Sequence, residues 1–397
     1  MVPRFVMPFF ASHVLAVVLV AGALTGCGLP SGGPSLSEVT AAAKPTASGE
    51  TRFALVNVDP NVVAKLESWT AVSMQGTFGR QQAFSTPTIG VGDSVQVAIW
   101  EAGPGLFAAP VTTNDRPGSG SRAATIPEQV VGGRDGAITV PFAGRVPVVG
   151  QTPQQVEQAI TRALNQRAVD PQVLVTVTKN VANTVTVVGE VTGGARVPLT
   201  TRGDRILDVV AEAGGTKAPA HETFVTLMRA NNSVRIPMQA MLTDPTENVY
   251  VRPGDVISVA REPQTFTAAG ATGQNAVVPF DAIGITLDQA IARAGGLSDI
   301  RADPAGVFVI RYERPADYDQ LGLRRPAPGT LAQVPVIYRV NMSDPNGFFL
   351  ARRFPVRNKD IVYVSNAPLT DVQKVMSMLL PILGVGATAA VVSNTTR

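Results

Sequence analysis

Sulfur and imidazole are nearly missing from this 397-residue chain, which has one cysteine, Cys27, and two histidines, His13 and His221. A lone cysteine excludes an internal disulfide and any cysteine-built metal site, and two histidines cannot form a histidine cluster. A surplus of one charge sign is also missing: 33 Lys and Arg face 30 Asp and Glu, a formal charge of +3. That balance leaves no electrostatic footprint for nucleic acid as a main partner. Catalytic arrangements are equally thin. His221 is the only histidine beyond residue 26, so no Ser-His-Asp set can be assembled, and acidic pairs such as Asp255 and Glu262 fall in turns and loops without a local motif. Neither enzyme activity nor a cofactor is expected. Glycine (37) and proline (31) are plentiful, which points to many turns between short strands. The length allows roughly two to four domains.

The clearest internal signal is a repeat. Val187-Val188-Gly189-Glu190-Val191 reads as a strand entering a turn, and the segment from Ile206 to Gly215 as a short helix stopped by Gly214 and Gly215. Thr267-Ala268-Ala269-Gly270 and the segment from Leu287 to Gly296 follow the same plan, so Gly189 to Gly214 and Gly270 to Gly295 both span 25 residues. Each copy closes on a polar turn that runs into an alternating strand. These are Pro253-Gly254-Asp255-Val256-Ile257-Ser258-Val259 and Asn358-Lys359-Asp360-Ile361-Val362-Tyr363-Val364. One small α/β unit is therefore expected twice. Gly189, Gly214, Gly215, Gly270, Gly295 and Gly296 are read as turns and helix caps that need positive φ. A phosphate loop is not indicated, because no helix opens directly after Gly189 to Gly194.

Residues 1–26 read as an export signal, with Arg4 as the only charge and Val14 to Val20 as an apolar core too short to span a bilayer. Leu24-Thr25-Gly26-Cys27 resembles the lipobox of bacterial lipoproteins, which makes the Cys27 thiol the expected lipid attachment atom. By the same resemblance, Gly28 in place of Asp favours the outer membrane. Cleavage before Cys27 leaves 397 minus 26, or 371 residues, with a formal charge of +2 once Arg4 is lost. Residues 27–50, rich in Gly, Ser, Pro, Ala and Thr, are expected to form a flexible tether.

Folded structure is expected to resume at Arg52 to Val56, followed by a helix that Asp59 caps, with Pro60 at its first position and Val62, Val63 and Leu66 on its buried face. Gly92-Asp93 opens an alternating strand through Trp100, and residues 103–134 read as a loop or insertion. Asp135 to Val146 reads as a bent strand. Thr152-Pro153-Gln154-Gln155 forms a capping box for a helix with Val156, Ala159, Ile160, Ala163 and Leu164 on its apolar face, and Pro171 to Thr178 returns to strand. Thr286-Leu287-Asp288-Gln289 is a second capping box, placed where the repeat requires a helix.

This ordered set resembles the outer-membrane polysaccharide export proteins of the Wza type. It comprises a Gly-Asp strand, the Gly136 to Gly150 bend with its Thr152 helix, Pro171-Gln172-Val173 and two Gly-to-Ala-Gly-Gly units, and it covers residues 84–365. The resemblance implies an α+β chain with an N-terminal export-signature domain, tandem small α/β domains of β-grasp type and a C-terminal membrane-spanning helix. The expected divisions are 1–26 signal peptide, 27–50 tether, 51–182 export-signature domain, 183–262 and 263–366 soluble-ligand-binding β-grasp repeats, and 367–397 helix. Two departures stand out: Gly193-Gly194 replaces Pro-Gly, and the second repeat carries about 24 extra residues, assigned to Arg314 through Pro335.

From Arg293 to Lys359, 11 basic residues face 6 acidic ones, a surplus that could serve anionic polymer or lipid or could be an ordinary solvated surface. The stretch from Val375 to Val392 has 18 residues without formal charge. As a helix it can reach across a hydrocarbon core of about 30 Å. Gln373, Lys374, Ser377, Gly384 and Thr388 recur along one stripe, with Pro381 as a kink. In the resembling family such stripes face a wet lumen. Three functions compete. The first is a homo-oligomeric ring, lipid-anchored in the outer membrane with most of its mass in the periplasm, that exports polysaccharide supplied through an inner-membrane polysaccharide co-polymerase. The second is a periplasmic saccharide- or ligand-binding lipoprotein without a pore, and the third is a carboxylate-only hydrolase. The first is preferred.

Overall fold

The computed structural model describes residues 33–45, 51–70, 72–79, 87–102, 106–107, 124–322 and 333–368. Chain contacts divide it into a middle unit, Thr70–Gln264 with Phe280–Gly284, and a composite unit made of Met1–Trp69, Thr265–Pro279 and Ile285–Arg397. Each is built on β-strands whose apolar residues alternate, as a strand with one buried face requires.

The composite unit starts with helix α1 (Leu36–Ala42), strand β1 (Ala54–Asn57) and helix α2 (Pro60–Thr70). Asp59 Oδ1 accepts from Val62 N at 2.8 Å, so the expected cap is formed, and Val63 and Leu66 are buried while Val62 is half-buried.

The middle unit opens with helix α3 (Met74–Phe78), then strands β2 (Ser94–Trp100), β3 (Ala124–Val130), the β4 (Ala137–Val140) and β5 (Gly144–Pro147) hairpin, helix α4 (Pro153–Leu164) and strand β6 (Gln172–Lys179). Strand β2 lies between β3 and β6, antiparallel to both. Its Val95, Val97 and Ile99 point into a core shared with Val156, Ile160 and Leu164, whose four-residue spacing puts them on one face of α4. The loop expected over 103–134 thus yields a strand at Ala124–Val130. Pro127 fits there because β3 is an edge strand, where a missing donor costs no ladder bond.

The first repeat follows as β7 (Thr184–Gly189), β8 (Ala195–Pro198), α5 (Ile206–Glu212), β9 (Thr223–Arg229), β10 (Asn232–Pro237), α6 (Met238–Thr243) and β11 (Val256–Arg261). Its sheet runs β10-β9-β11-β7-β8, with β7 and β11 parallel and the other pairs antiparallel. Met74 and Phe78 of α3 join the first repeat's core.

The second repeat, in the composite unit, comprises β12 (Gln264–Gly270), β13 (Ala276–Phe280), β14 (Ile285–Thr286), α7 (Leu287–Arg293), β15 (Ala302–Glu313), α8 (Pro315–Gln320), β16 (Val334–Val340), α9 (Pro345–Arg353), β17 (Pro355–Val356) and β18 (Ile361–Asn366). Its central parallel pair, β12 with β18, repeats the register of β7 with β11: Gly270 faces Val364 as Gly189 faces Val259. Strand β1 adds in parallel to β16, so the sheet reads β1-β16-β15-β18-β12-β13. Helix α2 is tied to the same repeat by Lys65 Nζ and Trp69 Nε1, both 2.7 Å from Gln320 oxygens, and by Glu67, which accepts from Arg353. Part of the stretch assigned to the extra residues forms α8.

Residues 33–45 correct the tether expectation. Ser35 N donates to Glu38 Oε2 at 2.7 Å and Glu38 N to Ser35 Oγ at 3.3 Å, a capping box that starts α1. Val39 is buried against Phe308 and Tyr363, which stack at 6.3 Å, and the Tyr363 hydroxyl donates to Pro34 O at 2.7 Å. A seven-residue helix with Leu36 and Val39 as its only large apolar side chains is too short to show periodicity, and it holds by tertiary packing. The membrane-spanning helix expected within 367–397 lies outside the described residues beyond residue 368. Among the described residues no helix is long and apolar enough to cross a membrane.

Candidate functional site

The strongest polar geometry sits on the turns that open β2, β11 and β18. In each, the residue before an aspartate has positive φ (Gly92 at 90°, Gly254 at 84°, Lys359 at 69°), and the carboxylate accepts the backbone N–H three residues earlier. Asp93 Oδ2 takes Gly90 N at 2.8 Å, Asp255 Oδ2 takes Arg252 N at 2.8 Å, and Asp360 Oδ2 takes Arg357 N at 2.7 Å. All three carboxylates are buried and need further partners. Asp93 Oδ1 accepts from Val181 and Ala182 N–H at 2.7 and 2.8 Å.

The two repeats use an arginine from the neighbouring strand instead. Arg229 of β9 donates Nε and Nη2 to Asp255 at 2.9 and 2.6 Å and Nη2 also to Tyr250 O at 2.8 Å. Arg311 of β15 donates Nε and Nη2 to Asp360 at 2.8 and 2.5 Å and Nη2 to Pro355 O at 2.9 Å. The carbonyl partner stands five residues before the aspartate in both, so the fork is duplicated with the fold. These paired forks bind strand to turn. The second is the deeper, with Arg311 4% and Asp360 1% exposed.

Around it Glu313 accepts from Arg311 at 3.4 Å, Arg357 at 2.9 Å and the Tyr338 hydroxyl at 2.9 Å, so two cations and two carboxylates balance. Burial alone would lower the Arg311 pKa, but Asp360 and Glu313 hold it above its ordinary value. Burial and the neighbouring Arg311 push Arg357 below its usual value. Burial, reinforced by Glu313, raises the Tyr338 phenol.

This arrangement holds structure and offers no reacting atom to solvent. Among the described residues no group of three or more His, Cys, Asp or Glu could hold a metal ion. The basic surplus from Arg293 to Lys359 is also largely internal: besides Arg311 and Arg357, Arg353 pairs with Glu67, Arg314 with Asp317, and Arg339 donates to Ala305 O.

The sequence-singled glycines lie at the ends of the repeat elements. Gly214 and Gly215 follow α5 with φ of 87° and 74°, and Gly295 and Gly296 follow α7 with φ of 82° and 79°. Gly189 and Gly270 end β7 and β12, where an added Cβ would collide with Val259 O and Val364 O of the paired parallel strand. Cys27, Gln373, Lys374, Ser377, Gly384 and Thr388 lie outside the described residues. Sequence reasoning missed Arg229 and Arg311 as partners of the Gly-Asp turn; superposing the two copies on Asp255 and Asp360 would have aligned them.

Three stretches match known families: residues 81–178 match the polysaccharide biosynthesis/export protein family, while residues 184–238 and 264–364 each match an SLBB domain. Over 392 residues the chain is 38% identical to the capsule polysaccharide export outer membrane protein CtrA of Neisseria meningitidis serogroup B, covering 96% of this chain and 98% of that protein. The chain belongs to the polysaccharide biosynthesis/export protein family. Within the family it is also 34% identical to the capsule polysaccharide export protein BexD of Haemophilus influenzae, over 93% of this chain and 94% of the other. The Vi polysaccharide export protein VexA/TviF of Salmonella typhi is 28% identical over 82% of this chain and 86% of its own length. The duplicated forks therefore belong to the two SLBB domains, and the Asp93 turn to the export domain.

Proposed function

We propose that the chain is an outer-membrane lipoprotein whose copies close into a ring that conducts capsular or extracellular polysaccharide out of the periplasm. The observation that carries this reading is the near full-length similarity to proteins named for capsule polysaccharide export at the outer membrane. Cys27 takes the lipid. Six residues separate it from Gly33, beside the docked α1, and an extended chain of that length reaches at most roughly 20 Å. The composite unit thus lies against the inner leaflet. The segment after residue 368 enters the bilayer as a helix, with Gln373, Lys374, Ser377, Gly384 and Thr388 toward water and the neighbouring copies; one such helix makes a channel only when head-to-tail contacts close. The protein performs no chemistry, and an inner-membrane polysaccharide co-polymerase supplies the polymer.

Electron microscopy of the detergent-extracted lipoprotein tests this. Rings with a narrow helical collar are expected. Monomers would overturn the channel and favour a ligand-binding lipoprotein.

A further inference from the structure

One cleft of the first repeat is left out of the structural role just described. It holds about 380 Å³ and is lined by Gln75, Arg205, Pro245, Asn248, Val249 and Tyr250, with Gly79 and Thr246 at its edge. Its chemistry is one-sided. A cation, two carboxamides and a phenol stand on apolar walls, and no aspartate or glutamate lines it. The nearby Glu247 and Asp244 are engaged elsewhere, Glu247 by Ser73 Oγ and Met74 N at 2.6 Å each and Asp244 by Thr246.

Arg205 is the unusual member. Its guanidinium lies 4.5 Å from the Tyr250 ring centroid, donates to Asn248 O at 3.0 Å and to Pro245 O at 3.5 Å, and stands 3.4 Å from the Tyr250 hydroxyl. Arg229 and Arg311 each grip a carboxylate, but the Arg205 guanidinium meets none among the described residues. Asp208 takes only its backbone N–H, at 2.9 Å. A half-buried cation held by neutral oxygens keeps its full charge for a ligand. Asn248 Oδ1 accepts from Leu207 N at 3.1 Å, which turns its amide nitrogen to donation; neither that nitrogen nor the Gln75 side chain has a partner among the described residues.

The sister repeat shows that the fold does not need these residues. The Arg205–Tyr250 bridge, just before α5 and five residues before Asp255, corresponds to the Thr286–Pro355 pair just before α7 and five residues before Asp360. There, both side chains are neutral and the arginine and tyrosine are absent.

We propose that this cleft binds one carboxylated sugar residue of an acidic polysaccharide, with the carboxylate on Arg205, hydroxyls on Asn248 and Gln75, and the apolar face of the ring against Val249, Pro245 and the edge of Tyr250. A planar guanidinium fits a carboxylate, and the cleft size suits one or two sugar rings. The proposal rests on the export reading above for the class of ligand.

The test is calorimetric titration of the full mature lipoprotein in detergent with tetragalacturonate, using its methyl ester as the same sugar without charge. Saturable binding of the acid, weakened by salt and at least about tenfold tighter than the ester, is expected from one charge-assisted contact. Arg205→Gln should abolish the preference for the acid, but it also removes bonds to Asn248 and Pro245. Gln75→Glu, which adds a negative charge on a side chain without structural partners, should weaken the acid about tenfold at an unchanged melting temperature. No saturable binding of tetragalacturonate, equal affinity for acid and ester, or an unaffected Gln75→Glu variant would overturn the site. Those outcomes leave export untouched, because surface polysaccharide on cells is scored separately.

Discussion

Replacing Asp360 with asparagine keeps the shape of the β18 turn and removes one charge from a buried network of two cations and two carboxylates. Arg311 then retains only Glu313, at 3.4 Å, as a charged partner, and both members of the original fork were at most 4% exposed. Breaking a buried pair by removing one partner costs about 3–5 kcal/mol. With a urea slope of about 2 kcal/mol per molar, the unfolding midpoint of the composite unit should fall by roughly 2 M. The matched Asp255→Asn change in the first repeat should cost less, about 1–3 kcal/mol, because Arg229 is 14% exposed and water can reach its charge. The readout is fluorescence of Trp69, whose ring lies 5.9 Å from the Arg357 guanidinium, with Trp100 replaced by phenylalanine. Pairing Asp360→Asn with Arg311→Met restores the charge balance through Arg357 and Glu313, so the double variant should lose less than the sum of the two singles. A midpoint shift below roughly 0.5 M for Asp360→Asn, or equal shifts for both aspartates, would refute the reasoning about burial.

Three further outcomes follow from the same geometry. Burial, with Glu313, Asp319 and Glu38 respectively, raises the phenol pKa of Tyr338, Tyr318 and Tyr363. Above about pH 10 the unfolded chain therefore sheds protons that the folded chain keeps, so this contribution is complete below pH 10 and drains as pH rises. In an absorbance titration these phenolates should appear together with loss of ellipticity; release at the ordinary value with the fold intact would count against it. Val39→Asp should detach α1 by exchanging roughly 1.5–3 kcal/mol of valine burial for a buried charge. Hydrogen exchange at residues 33–45 should then become fast, whereas unchanged protection would mean the helix is held by something else. Gly270→Ala drives a Cβ into Val364 O and should cost more than 3 kcal/mol, by analogy with roughly that upper range for steric clashes in well-packed cores. Gly296→Ala meets no atom within 4 Å and should cost only about 1–2 kcal/mol of backbone strain; equal melting temperatures for the two would contradict the close-approach account.

Much of this fold was legible because its signals are local. The Gly-Asp turns at Asp93 and Asp255, the Thr152 capping box and the paired glycines after α5 and α7 each report on residues a few positions away. What escaped is non-local. Arg229 reaches Asp255 across 26 positions and Arg311 reaches Asp360 across 49, and neither arginine carries a signature of its partner. Strand β1 joins a sheet whose other members begin more than two hundred residues later, which no periodicity reveals. Helix α1 was read as tether because its receptor, not its own sequence, makes it fold. The receptor has a trace in the repeat: Phe308 and Tyr363 stand where the first copy has Thr226 and Ser258, so the outer face of one sheet turned aromatic and took a helix. The unpaired Arg205 was equally silent, since its distinction is a missing carboxylate.

The central claim is that polysaccharide leaves the cell through this protein, and the location of the polymer tests it most directly. Cells carrying the lipoprotein without residues 368–397 should synthesise polymer but retain it inside the outer membrane, leaving the surface unlabelled by a polymer-specific antibody. A normal surface coat on cells whose only copy is truncated would contradict the account.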